Sequence, residues 1–160
     1  MDTIEFSNPD KMQEIAEGYF LQGYNCCQSV LLAYSDYLGI SKETVLKMSS
    51  GLGGGMARMR EVCGAVTAMA IIAGFIIPAT DPAKHEERTE NYALVQSLAS
   101  RFKDEKGSII CREILGLRKG QTESPSPSIR TPEYYRTRPC AKNVGLAARI
   151  VSEYLHTRDI

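Results

Sequence analysis

Apolar residues recur along most of the chain at spacings of three and four, and no stretch alternates strictly between apolar and polar, so the pattern predicts helices and no strands. Met12, Ile15, Ala16, Tyr19 and Phe20 give one apolar face to a helix over Pro9 to Leu21, which Gly23 ends or bends. Asn25 caps a second helix, Cys26 to Leu38, with Val30, Leu31, Tyr34 and Leu38 on one face and Gly39 as its stop. Ser41 starts a short helix whose buried side is Val45, Leu46 and Met48 and which halts at Gly51.

From Val62 to Thr80 the chain runs 19 residues without a charge, long enough to raise a membrane span. Gly64, Thr67, Gly74 and Pro78 interrupt the run, no second such run follows, and Ala65, Ala68, Ala70 and Ala73 suit close packing among other helices. The expectation is therefore a buried central helix over about 62–77 and no membrane span. Asp81-Pro82 reads as a cap followed by a first-position proline, opening a helix through Tyr92, Leu94, Val95 and Leu98 to about Lys103. Gly107 and Ser108 close that helix and cap a short one over Ile109 to Leu115, ended by Gly116. Residues 117–138 have no period and hold three prolines, which predicts a long irregular loop, either disordered or a functional flap. Pro139 opens the last helix, with Val144, Leu146, Ala147, Ile150, Val151 and Leu155. The fold class that results is all-α: about six helices around the 62–77 segment, in one domain over 1–160 with its core at about 10–155.

Length agrees, since 160 residues suit one domain with one core. Lysine plus arginine and aspartate plus glutamate stand at 19 each, so no net field favours nucleic acid or an anionic membrane. The start, Met-Asp-Thr-Ile-Glu-Phe, lacks the basic and apolar regions of a secretory signal, and a cytoplasmic location is expected, where disulfides are rarely structural.

Five cysteines, Cys26, Cys27, Cys63, Cys111 and Cys140, are spread over the chain with no CxxC pair. Four of them, Cys26, Cys63, Cys111 and Cys140, fall in the first turn of a predicted helix. There the unpaired amides and the positive end of the helix dipole favour a thiolate, the form that attacks disulfides and ligates metals. Cys27 lies about 100 degrees further round its helix and belongs to the core or is a spare thiol. Small cysteines also simply fit tight helix starts, which is the plain alternative.

The glycine-rich run Gly51 to Gly55 leads past Arg58 and Arg60 to Cys63-Gly64. It lacks the GK[ST] ending of a phosphate loop and follows no strand, so it reads as a turn that positions Cys63. Arg58 and Arg60 are candidate thiolate-stabilising or anion-holding neighbours, Arg60 especially for Cys63. Glu61 and Glu113, each two residues from a cysteine, are candidate proton acceptors or helix-start charges. His85 and His156 sit among polar residues and read as surface. Tyr134 and Tyr135 either cover a pocket or anchor their loop.

As a set, Gly23-Tyr-Asn-Cys26, Gly53-Gly-Gly-Met with Arg58-Met-Arg-Glu-Val-Cys63-Gly-Ala-Val-Thr, Cys111-Arg-Glu-Ile-Leu-Gly116, and Cys140 three residues before Asn143 resemble the C_GCAxxG_C_C family of putative redox-active proteins, over about residues 10–155. The resemblance implies a helical protein whose four family cysteines are Cys26, Cys63, Cys111 and Cys140. It also implies occurrence near transporter genes and kinship with a domain of split-Soret-type cytochromes. Two positions depart from the pattern: Ala68 stands at the final position of CGAxxG, and Arg60 stands where glycine is usual.

Three functions follow in order of preference. The first is thiol–disulfide or electron-transfer chemistry by the four cysteines, with Cys26 or Cys63 attacking and another resolving. The second is binding of zinc or an iron–sulfur cluster by the same four thiolates. The third is a non-catalytic helical partner of a transporter or redox system. The expected partner is an unidentified redox or transporter-associated protein, and the apolar helices make a homodimer plausible.

Overall fold

The computed structural model describes residues 3–158, so residues 1–2 and 159–160 of the expected domain lie outside the described residues. A 3₁₀ turn, η1 (Thr3–Ser7), leads into α1 (Pro9–Leu21), whose cap Asn8 accepts a hydrogen bond from the Lys11 amide. Then come α2 (Cys26–Ala33), α3 (Ser35–Leu38), α4 (Lys42–Ser49), the turn α5 (Gly53–Met56) and α6 (Gly64–Ile76). The chain closes with α7 (His85–Lys106), the short α8 (Cys111–Ile114), α9 (Pro132–Thr137) and α10 (Cys140–Arg158). Among the described residues six helices reach eight residues or more, and the only extended pairing is one antiparallel bridge between Val62 and Ile110. The protein is all-helical, as the apolar spacing requires.

Helix α10 packs against η1, α1, α2, α6 and α7, and α6 packs against α2, α7 and α10. The apolar stripe Val144, Ala147, Ala148, Ile150, Val151 and Leu155 meets Met12, Ala16 and Phe20 of α1 and Val30 and Leu31 of α2 in one core. Two buried hydroxyls lock that core: Tyr34 Oη donates to the Ala148 carbonyl at 2.7 Å, and Ser152 Oγ donates to the Phe6 carbonyl at 2.7 Å. Helix α6 buries Ala65, Val66, Ala68, Met69, Ile72, Ala73 and Ile76, while Ala70, Ile71 and Gly74 are half-buried and Phe75 is exposed. None of the described helices is long and apolar enough to cross a membrane.

Three boundaries differ from expectation. The helix expected to run from Cys26 to Leu38 breaks at Tyr34, whose backbone leaves the helical region at φ −107° and ψ 9° while its hydroxyl is drawn to α10. The Asp81-Pro82 pair caps a turn and not a helix: the Asp81 carboxylate accepts from the Ala83 amide, the Asp81 carbonyl accepts from Lys84, and α7 starts only at His85. Within the segment read as an irregular loop, Thr131 Oγ accepts from the Tyr134 amide and Pro132 takes the first turn, forming α9. A cap and a first-position proline were present in that segment, but the surrounding prolines masked them.

Candidate thiol site

The four separated cysteines all stand at helix starts. Cys26, Cys111 and Cys140 are the first residues of α2, α8 and α10, and Cys63 is the residue that precedes α6. All five cysteines are free thiols. Cys26, Cys63, Cys111 and Cys140 line one cavity of about 70 Å³, together with Arg60, Asn143, Tyr134 and Gly64. Cys27, one residue from Cys26, faces the core and is fully buried, where loss of water pushes its thiol up to about 12.

Local backbone chemistry brings these sulfurs together. Asn25 caps α2 with a reciprocal pair, its side chain accepting from the Gln28 amide at 2.8 Å and Gln28 Oε1 accepting from the Asn25 amide at 3.1 Å. Asn25 Nδ2 also donates to the carbonyls of Ser49 and Ser50, which fastens the start of α2 to the end of α4. Cys63 and Cys111 are joined as in a short ladder: the Cys63 amide donates to the Ile109 carbonyl at 2.8 Å and the Cys111 amide to the Glu61 carbonyl at 2.7 Å.

Between them the glycine turn adopts a left-handed course. Gly54, Gly55, Met56, Ala57 and Arg58 have φ of 65°, 67°, 69°, 49° and 67°, and Arg60 follows at 62°. For residues with a Cβ such angles cost about 1 kcal/mol or more each, so the four non-glycine positions are held by their surroundings. The holding bonds run from the Arg60 amide to the Gly54 carbonyl and from the Glu61 amide to the Gly55 carbonyl at 2.8 Å. Glycine is required at two points where the backbone passes against a cysteine side chain. A Cβ on Gly55 would lie 2.7 Å from Cys111 Cβ and from the Glu61 amide, and one on Gly64 would lie 2.5 Å from Cys26 Sγ.

The electrostatics divide the thiols. The Cys63 side chain and the amides of Gly54, Gly64 and Cys27 all favour the Cys26 thiolate; together they outweigh burial and hold Cys26 down at about 6. The same pairing, with burial, pushes Cys63 well above the ordinary thiol value of 9.0. Burial raises Cys111 despite its Arg60 neighbour, and burial with the charge of Cys26 raises Cys140 to about 11. Of these four thiols Cys26 alone is shifted downward.

Arg60 was expected beside Cys63. It is instead directed to Cys111, with Nη1 3.6 Å from that sulfur, and Nη2 is 2.7 Å from Glu123 Oε2. Sequence pairs Arg60 with Cys63 because they are neighbours, whereas the left-handed turn swings the guanidinium toward α8. Arg58 turns outward to the 117–131 loop, binding Glu123 at 2.8 Å, the Ser124 carbonyl and Ser128 Oγ. Gly64 makes close contact with Cys26, as above. Glu61 is exposed and contributes its backbone only, and Glu113 accepts from Ser108 Oγ at the start of α8. His85 and His156 lie on the surface.

The loop is pinned and not loose. Arg112 Nη1 donates to the Arg118 and Gln121 carbonyls, Glu123 meets Arg58 and Arg60, and Arg130 donates to the Phe20 and Tyr24 carbonyls at 2.6 and 2.8 Å. The Arg130 guanidinium also stacks 4.0 Å from the Phe20 ring centre. Glu123, Arg130 and Asn143 are site residues that no local motif marks, although Asn143 stands in the Cys140 segment. Two buried polar atoms of the site have no partner among the described residues, Arg60 Nε and Asn143 Oδ1.

As to a metal, among the described residues no group of three or more histidine, cysteine, aspartate and glutamate side chains is arranged to hold one. The cavity gathers the four thiols in one neighbourhood.

The helical frame and the shared cavity define a helical protein with a cluster of free thiols at its helix starts. The family model described as Putative redox-active protein (C_GCAxxG_C_C) matches residues 24–154, and the chain belongs to that family. No curated protein and no solved structure matches the chain.

Proposed function

We propose that the protein carries out thiol–disulfide exchange, with Cys26 as the attacking thiolate and Cys63 as the resolving thiol. The observation that supports this most is that Cys26 and Cys63 line the same small cavity, where the Cys63 side chain and the amides of Gly54, Gly64 and Cys27 favour the Cys26 thiolate. In the reaction, Cys26 S⁻ attacks one sulfur of a substrate disulfide, and the other sulfur leaves as a thiolate that takes a proton. The Cys63 thiol then loses its proton and attacks Cys26, releasing the second substrate thiol and forming a Cys26–Cys63 disulfide. Two electrons pass from the cysteine pair to the substrate. Cys111 and Cys140 stay protonated and form the cavity wall, with Arg60 and Arg138 as the neighbouring cations and Tyr134 as a neutral phenol.

The test is site-resolved alkylation of the reduced protein by iodoacetamide between acid and alkaline pH. Cys26 should be the first thiol modified, with its midpoint near 6. Mild oxidation should then yield a Cys26–Cys63 disulfide in the peptide map. Alkylation of Cys26 only in the alkaline range, in step with the other thiols, would sink the proposal.

A further inference from the structure

The thiol cavity has a larger neighbour. A cleft of about 550 Å³ shares Asn25, Gly54, Arg60, Arg130 and Tyr134 with it as common walls. Four arginines line that cleft, Arg58, Arg60, Arg130 and Arg138, and no aspartate or glutamate lines either cavity. One carboxylate, Glu123, is shared between Arg58 and Arg60. Arg130 gives two of its five donors to main-chain carbonyls and Arg138 lies 5.5 Å from the Tyr134 ring centre, neither in an ion pair among the described residues. Four positive charges and one negative leave three net positive charges around the cleft. Arg60, only 6% exposed, adds a buried Nε that has no partner. The chain as a whole is neutral, so this field is local. A cleft of this volume is of the size that takes a small molecule and not a folded protein segment, and an enclosed cluster of one sign concentrates ligands of the other.

We infer that the disulfide presented to Cys26 is a small molecule carrying carboxylate or similar anionic groups, bound through the arginine cleft beside the thiols. This rests on the exchange reading above for its chemistry, but the cleft's preference for anions does not. The anionic ends pair with Arg138 and Arg130 and the disulfide lies at the shared wall, where Cys26 S⁻ attacks one sulfur and the departing thiolate is stabilised by the same arginines until it takes a proton from solvent.

The test compares three disulfides of similar length on the reduced full-length protein in single turnover: 3,3′-dithiodipropionate with two negative charges, neutral 2-hydroxyethyl disulfide, and cystamine with two positive charges. Rates are read as mixed-disulfide formation at Cys26, each normalised to its rate with a free thiol. The normalised rate should be about tenfold or more higher for the anion than for the neutral disulfide at low salt, and lowest for cystamine. This preference should shrink as salt is raised and fall a few-fold in Arg138→Gln. Equal rates for the three, a salt-insensitive order, or faster reaction with the disulfides of insulin than with dithiodipropionate would overturn the inference. A second measurement needs no exchange at all: suberate, the all-carbon analogue of dithiodipropionate, should slow alkylation of Cys26 by neutral iodoacetamide about twofold at millimolar concentration, and 1,8-octanediol should not. Protection by suberate with no reaction of any disulfide would refute exchange and leave the anion cleft standing. Absence of protection together with charge-blind rates would refute the cleft and leave exchange standing.

Discussion

The interface of α1 with α10 and the turn that carries Cys63 are built on opposite terms. The first is a seam of apolar side chains, Met12, Ala16 and Phe20 against Val144, Ala147, Ile150 and Val151, with regular helical backbone throughout. The second has little apolar packing of its own and consists of left-handed residues, glycines in closest contact and main-chain bonds. Energy in the seam comes from area removed from water and tolerates changes of shape within limits. Geometry in the turn comes from individual bonds, and two main-chain bonds beside it hold the amides of Cys63 and Cys111. The core supplies stability that the thiol end uses to hold strained backbone and buried polar groups in place.

The largest effect on stability should come from the core side. Leu31→Ala removes a fully buried side chain and should cost about 2–5 kcal/mol in chemical unfolding, whereas Leu31→Met should cost under about 1.5 kcal/mol. Neither should move the Cys26 alkylation midpoint, and if either did, the two regions would be coupled more tightly than their construction implies. On the thiol side, Cys63→Ala removes the side chain that lowers the Cys26 thiol most, so the Cys26 midpoint should climb toward the ordinary value of 9.0. Its thiolate fraction at neutral pH, and with it the alkylation rate, should then drop on the order of ten- to a hundredfold.

Gly64→Ala tests both regions at once, since the added methyl meets Cys26 Sγ and lies 2.7 Å from the Leu52 carbonyl. It should destabilise by about 1–3 kcal/mol and raise the Cys26 midpoint, and an unchanged midpoint would show that the sulfur is not held where the turn holds it. The same thiol gives a pH dependence of stability. Because the folded Cys26 value of about 6 lies below the ordinary 9.0, its contribution is complete above the unfolded value and is lost as pH falls through the folded one, so stability should rise between these pH values. Cys63, shifted upward, acts in the opposite sense and only as pH rises beyond 9.0. Urea melts of the wild type and Cys26→Ser across this window should differ in slope, the variant being the flatter. The smallest effect belongs to the polar lock between α2 and α10, where Tyr34→Phe should cost about 1 kcal/mol for the lost bond to Ala148.

Most of the helical frame was legible in the chain. The bounds of α1 and the starts of α2, α4 and α10 follow from caps and first-position prolines, which act within three or four residues and need no tertiary partner. The false helix start at Asp81 and the hidden one at Thr131 show the limit of such signals, because a cap side chain serves a turn as readily as a helix. At the site, the helix-start placement of Cys26, Cys63, Cys111 and Cys140 was readable for the same local reason. The direction of Arg60 was not: it depends on five consecutive left-handed residues, a course held by main-chain bonds within the turn and by contacts to α8 and the 117–131 loop.

What the sequence by itself determined, then, is an all-helical chain with its thiols at helix starts, where the backbone amides and dipole of each helix are local properties. Only the tertiary structure decided the surroundings of each thiol. The Cys63 side chain acts on Cys26, Gly64 leaves room for the Cys26 sulfur, and Arg60 is drawn to Cys111 and Glu123. It also assembled the cleft, gathering Arg58, Arg60, Arg130 and Arg138 from separate stretches into one wall. The glycine turn is where the two meet: its residue types are written in the chain, but its left-handed path is held by bonds within the turn and by contacts to α8 and the 117–131 loop that only the folded chain brings together.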